Sequence, residues 1–187
     1  MSRKAIFLDR DGTLNEEVNY LGKVEDFAWL PRAAEAVRLL NEAGWVVVLI
    51  TNQSGIGRGY YAEQDVAAIH ERIESDLAQA GARLDAIYYC PHRPDEGCIC
   101  RKPQPHLFQK AAQELGLDLS ASYAIGDKLS DLEPGKQLGC RTILLLTGHG
   151  PEHLKLAREQ GFQPDHIAED LYRAVEWISQ HEGPLRL

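Results

Sequence analysis

The sequence predicts an α/β protein, a Rossmann-like three-layer α/β/α domain on a mainly parallel sheet. Short apolar runs of strand length alternate with longer segments whose apolar residues recur every three or four positions, the pattern of strands joined by crossover helices. The run Val46-Val47-Val48-Leu49-Ile50 is apolar and largely β-branched, as suits a strand covered on both faces.

The elements follow in order. Ala5-Ile6-Phe7-Leu8 reads as a buried strand that Asp9-Arg10-Asp11-Gly12 brings to a turn at the sheet edge. Pro31 opens a helix with Ala34, Val37, Leu40 and Ala43 on one face and Gly44 at its end, and strand 46–50 follows directly. Residues 62–80 form a second helix, with Val66, Ile69, Ile73 and Leu77 on one stripe before Gly81. Residues 86–89 read as a short strand, 107–115 as a helix ended by Gly116, 123–126 as a strand and 131–138 as a helix. A strand at 142–146, a weak helix at 154–160 and a last helix at 169–180, striped by Leu171, Ala174, Val175 and Ile178, complete the chain.

At 187 residues and 44% hydrophobic content, residues 1–187 are expected to form one domain. The longest apolar runs fall far short of the roughly 20 residues of a membrane helix. Arg3 and Lys4 precede an apolar patch cut off at once by Asp9, so no secretory signal is read and a cytoplasmic protein is expected. A net charge of −8 speaks against a nucleic-acid-binding surface. An anionic ligand would depend on local cations, for which Arg58, Arg101, Lys102 and Lys128 are candidates, while Lys23, Lys110, Lys136, Lys155 and Arg158 read as solvated surface. No apolar stripe is left over, which favours a monomer.

Asp9-Arg10-Asp11-Gly12-Thr13 ends the first strand, Thr51 the second, and Asp127 the strand at 123–126, while Lys102 precedes Pro103 and a helix. In this order the four signals resemble the motifs of the haloacid dehalogenase-like phosphohydrolases. The resemblance implies a phosphatase in which Asp9 attacks phosphorus and Asp11 exchanges the proton with the leaving alcohol and then with water. It implies that Thr51 and Lys102 hold the phosphoryl oxygens, with the Asn52 backbone amide as a further donor. It also implies Mg²⁺ on Asp9, the backbone carbonyl of Asp11, and Asp127. Ion-pumping ATPases of this kind carry a non-acidic residue at the position of Asp11, so an Asp there favours a phosphatase. Asp131 has two readings: support for the metal or Lys128, or an acidic residue favoured by the N-terminus of its helix.

Cys90-Pro91-His92 and Cys98-Ile99-Cys100 place four soft or borderline ligands close together, suited to a closed, structural Zn²⁺ site in a zinc loop at residues 90–100. The alternatives are reduced thiols or a disulfide, the latter disfavoured in the cytoplasm. Cys140 reads as an ordinary buried thiol. A metal clip at Cys100 would fix the backbone that aims Arg101 and Lys102.

Only residues 12–50 separate Asp11 from Thr51, and they must also hold a helix and a strand, so the fold is expected to be capless. Specificity then falls to loops 17–20, 52–59 and 90–101. The full set of motifs, with Thr51-Asn52-Gln53-Ser54-Gly55-Ile56-Gly57-Arg58-Gly59 and Cys98-x-Cys100-Arg101-Lys102-Pro103, resembles the D-glycero-D-manno-heptose 1,7-bisphosphate 7-phosphatase family over nearly the full length. That resemblance implies a small phosphorylated sugar as substrate, in synthesis of nucleotide-activated heptose for the lipopolysaccharide core. It implies substrate contacts from Glu17, Asn19, Tyr20, Asn52, Gln53, Ser54, Arg101 and Lys128. The zinc-loop histidinol-phosphate phosphatases are the nearest alternative, but they usually carry an acidic residue where Ser54 stands. A non-catalytic zinc-loop binding module is the alternative of a different kind, and would leave the acidic pair, Thr51, Lys102 and Asp127 without a shared purpose.

Overall fold

The structure, a computed structural model, describes residues 3–182; the first two and last five residues of the expected domain lie outside the described residues. Six strands form one sheet in the order β3-β2-β1-β4-β5-β6, every pair parallel. They are β1 (Ala5–Leu8), β2 (Val46–Asn52), β3 (Ala86–Cys90), β4 (Tyr123–Gly126), β5 (Arg141–Leu145) and β6 (His166–Ala168). The helices are α1 (Ala33–Glu42), α2 (Ser54–Gly57), α3 (Glu63–Gln79), α4 (His106–Leu115), α5 (Leu129–Gln137), α6 (Gly150–Gln160) and α7 (Leu171–His181).

The two-residue period of the strands divides the interior into two cores. Ile6, Leu8, Val47 and Leu49 point into the larger one, against Val37 and Leu40 of α1, Ile69 and Ile73 of α3, and Val175 and Ile178 of α7. Ala5, Phe7, Val46, Val48 and Ile50 point into the other, against Leu107, Phe108 and Ala111 of α4. Burial on both faces is why these strands read as continuous apolar runs. The three-layer expectation holds.

β6 was not foreseen, because His166-Ile167-Ala168 offers only one large apolar residue at the sheet edge, with Ile167 39% exposed. Nor was α2, whose Ser-Gly-Ile-Gly sequence reads as a loop. α5 and α6 begin two and four residues ahead of the expected helices. Capping by Asp131, which accepts from the Lys128 backbone N–H at 3.0 Å, starts α5 at Leu129.

β1 lies between β2 and β4, and the chain moves outward from it in both directions. Between β1 and β4 the strand order reverses, which opens a crevice at the carboxyl ends of the strands. Asp9, Thr51 and Asp127 all stand at those ends.

Candidate active site

Asp9 follows β1, Asp127 follows β4, and Asp131 lies in the first turn of α5. All three are buried, and one carboxylate oxygen from each lies within 4.8 Å of the others. Lys102 is buried with them: its Nζ is 2.8 Å from Asp9 Oδ1 and 2.7 Å from Asp131 Oδ1, and donates to the Ile50 carbonyl at 2.6 Å. Burial alone would discharge this lysine, but Asp131 and Asp9 outweigh it and raise its pKa. One ammonium does not balance three carboxylates. Burial, then repulsion from Asp131 and Asp9, pushes Asp127 up to about 8. Burial and Asp9 likewise push Asp131 up to about 6, against the pull of Lys102.

A dication is what this cluster lacks. Asp127 Oδ2 accepts from the His149 backbone N–H at 2.8 Å, but its Oδ1 is buried with no hydrogen-bond partner. An orphaned, hard oxygen among like charges fits Mg²⁺, which prefers oxygen ligands and retains water. Gly12 permits the close packing: at φ +81°, a Cβ there would lie 2.3 Å from Asp127 Oδ2.

Asp11 faces a different environment. Its carboxylate accepts from Arg10 Nε at 3.1 Å, Arg10 Nη2 at 3.0 Å, Asn15 Nδ2 at 3.0 Å and Gln53 Nε2 at 3.0 Å. Burial opposes its charge, yet the Arg10 guanidinium and the Asn15 and Gln53 donors hold its pKa below the usual carboxylate range. Gln53 also donates to Thr51 Oγ at 2.8 Å and accepts from Tyr61 Oη at 2.8 Å, which ties Asp11 to Thr51. The Asn52 side chain exchanges two hydrogen bonds with the Lys102 backbone, accepting at 3.0 Å and donating at 3.1 Å. The end of β2 thereby fixes the segment that carries the buried lysine.

These groups border a cavity of about 230 Å³. Its lining includes Asp9, Asp11, Thr51 and Lys102, together with Glu17, Asn19, Tyr20, Asn52, Gln53, Ser54, Arg101 and Lys128. The structure therefore brings the expected catalytic and substrate residues to one place. Asp127 lies buried beside them. At the mouth, Lys128 Nζ pairs with Glu17 Oε2 at 2.9 Å and Tyr20 meets Tyr60 edge to face at 4.8 Å. Arg58 stands over the Tyr20 ring at 5.7 Å, at the rim and outside the lining. Of the two readings of Asp131, the structure gives parts of both: it caps α5 and joins the acidic cluster, but its ion pair is with Lys102.

The zinc loop gathers its ligands as expected. Cys90 Sγ is 3.5 Å from Cys98 Sγ and 3.0 Å from Cys100 Sγ, and Cys98 and Cys100 are 3.7 Å apart. His92 Nδ1 lies 3.2 Å from Cys100 Sγ and 3.6 Å from Cys90 Sγ. A tetrahedral site with Zn–S bonds of about 2.3 Å has ligand separations of about 3.8 Å, so these residues fit zinc. All four cysteines of the chain are free in this structure, and Cys140 is buried as expected. Arg101, next after Cys100, donates to the His92 carbonyl at 3.4 Å.

Sequence reasoning missed Arg10, a fully buried side chain, because an arginine in a turn reads as solvated. Its place between two carboxylates at a strand end was the available signal. Asn15, Tyr61 and His149 were also missed; each is tied to the site through Asp11, Gln53 or Asp127 rather than through a motif.

A parallel sheet whose central crevice holds an acidic cluster, a buried lysine and a threonine defines a haloacid dehalogenase-like phosphatase. A family model described as HAD-hydrolase-like matches residues 99–174, and one described as polynucleotide kinase 3 phosphatase matches residues 4–135. The D-glycero-D-manno-heptose-1,7-bisphosphate 7-phosphatase of Thermosynechococcus vestitus is 46% identical over 98% of this chain and 100% of its own. Its counterpart in Chlorobaculum tepidum is 42% identical over 93% of each chain. The crystal structure of D,D-heptose 1,7-bisphosphate phosphatase from Bordetella bronchiseptica, complexed with magnesium and phosphate, superposes with a TM-score of 0.88 at 39% identity, covering 95% of this chain and 99% of that one. The chain belongs to the D-glycero-D-manno-heptose-1,7-bisphosphate 7-phosphatase family.

Proposed function

We propose that this chain is a Mg²⁺-dependent phosphatase that removes the C7 phosphate of D-glycero-D-manno-heptose 1,7-bisphosphate, for nucleotide-activated heptose and the lipopolysaccharide core. The observation that carries this reading is the buried Asp9–Lys102 pair opening into one cavity with Asp11 and Thr51. The relatives supply the substrate.

Phosphate monoesters hydrolyse extremely slowly without an enzyme, so charge must be neutralised and the displacement divided into easier steps. Asp9 attacks phosphorus; the P–O7 bond breaks, and the departing oxygen takes a proton from Asp11. Asp11 then removes a proton from water, which attacks the aspartyl-phosphate, frees inorganic phosphate and restores Asp9. Thr51 and the Lys102 ammonium hold the phosphoryl oxygens. When bound by Asp9, the Asp11 backbone carbonyl and Asp127, magnesium supplies positive charge that lets an anionic nucleophile meet an anionic ester. Zinc on Cys90, His92, Cys98 and Cys100 has a structural role, fixing the loop that presents Arg101 and Lys102.

Lys128, Arg101 and the neutral Ser54 suit a second phosphate better than the cationic amine of histidinol phosphate. A polynucleotide substrate is disfavoured by the net charge of −8. Residues 1–187 act as one domain and a single chain as the working unit, since one chain supplies every group named; we assign it to the cytoplasm. The test is a panel of kcat/KM values on both anomers of the heptose bisphosphate, histidinol phosphate and fructose 1,6-bisphosphate. A clear preference for a heptose bisphosphate is expected, and a preference for histidinol phosphate would overturn the assignment.

A further inference from the structure

The Asp11 carboxylate has no acceptor capacity left. An ionised carboxylate offers about four lone-pair sites. Two on Oδ1 are taken by Arg10 Nε at 3.1 Å and Asn15 Nδ2 at 3.0 Å, and two on Oδ2 by Arg10 Nη2 at 3.0 Å and Gln53 Nε2 at 3.0 Å. Each of these nitrogens is an obligatory donor in its place. Gln53 cannot be turned over, because its Oε1 already accepts from Arg10 Nη2 at 3.1 Å and from Tyr61 Oη at 2.8 Å. Turning Asn15 would set its oxygen against the carboxylate. Hence no lone pair remains to accept from water, and every position where a carboxyl proton would sit already faces an N–H.

From this evidence we propose that Arg10, Asn15 and Gln53 form a dock that holds Asp11 off duty, and that turnover requires Asp11 to rotate out of it. The inference rests on the acid–base role given to Asp11 above. The way out is open, since Asp11 lines the cavity and its side chain retains 15% exposure. The way back is driven by Arg10. This guanidinium is fully buried with its Nη1 already lacking a partner, so the departure of Asp11 leaves a buried cation with only the Gln53 oxygen beside it. The docked arrangement is therefore the resting one, and only the undocked fraction of the enzyme can react. Arg10, Asn15 and Gln53 act as positioning residues in this scheme.

Two experiments test it. Crystals of the wild type with Mg²⁺ and beryllium fluoride, a mimic of the aspartyl-phosphate, are expected to show Asp11 rotated away from Arg10, with the Arg10–Gln53 contact retained. Asp11 still held by all four nitrogens in that complex would overturn the dock. Failure of beryllium fluoride to load onto Asp9 would overturn the phosphatase reading instead, and the dock with it. The second experiment uses Arg10→Lys, which keeps the charge but loses the two-pronged grip. For an alkyl phosphate, whose leaving group needs a proton, kcat/KM should rise several-fold as the undocked fraction grows. For p-nitrophenyl phosphate, whose leaving group needs none, it should stay within about twofold. A fall with the alkyl substrate, whatever the aryl substrate does, would overturn the proposal. If the variant does not fold, the wild-type crystals still decide.

Discussion

The two clusters that fit metals are built on opposite principles. The carboxylates Asp9, Asp127 and Asp131 hang from strand ends and a helix start inside a fully formed core, where like charges are forced together and one lysine cannot balance them. The Cys90, His92, Cys98 and Cys100 cluster instead ties an irregular loop to the buried end of β3, and Ile99 between two ligands is 67% exposed. In the first, the fold holds the ligands and the metal relieves strain in charge. In the second, the metal would hold the fold. A chelator should therefore have two separable effects.

The largest expected effect lies on the acidic side. Asp9→Asn should lower phosphate release by at least about 10³-fold while leaving the melting temperature almost unchanged. Equal release from variant and wild type would favour a binding module. Lys102→Met should be both inactive and less stable, by about 3–5 kcal/mol in denaturant titration, because buried carboxylates lose their cation. Added Mg²⁺ should recover part of that loss.

On the loop side, Cys100→Ser should lower zinc content and activity together. Activity should fall on the order of 10²-fold, since misplacing the segment that aims Lys102 by about 1 Å is enough to do this. Full activity in a zinc-free variant would show that the loop does not position the site.

Beneath the catalytic edge, burial, followed by the charge of Arg10, lowers the His70 pKa to about 4. The unfolded chain takes up this proton near pH 6.5 and the folded one does not. Stability is thus complete above pH 6.5 and declines as pH falls toward 4, by about 2 kcal/mol between pH 7 and 5. His70→Leu should flatten that part of the profile. The smallest effect belongs to the loop surface: Arg93→Ala removes ion pairs with Asp95 at 3.2 Å and Glu96 at 3.5 Å, all partly exposed, and should change stability by less than about 0.5 kcal/mol. A larger loss would mean that charge pairs, and not the metal ligands, hold the loop.

What the sequence made legible follows from the same contrast. Strand ends were readable because burial on both faces forces apolar runs, the acidic motif because its order with Thr51, Lys102 and Asp127 resembles that of a known family, and the cysteine motif because four soft or borderline ligands stand close together. β6 and α2 were not, since His166-Ile167-Ala168 and Ser54-Gly55-Ile56-Gly57 owe their form to neighbours and not to their own propensities. Arg10 escaped for a related reason. Its burial depends on Asp11 and Gln53, partners from two strand ends that only the folded sheet brings together.

Cys90 is at once the last residue of β3 and a member of the sulfur cluster, while Cys100 stands two residues ahead of Lys102. Both anchors of the loop are therefore welded to the catalytic framework, whereas the span from Arg93 to Gly97 between them carries no ligand. Such a span can change length or sequence without disturbing what lies at either end. It offers a natural module for exchange, since neither the four metal-ligating side chains nor the residues that line the cavity belong to it.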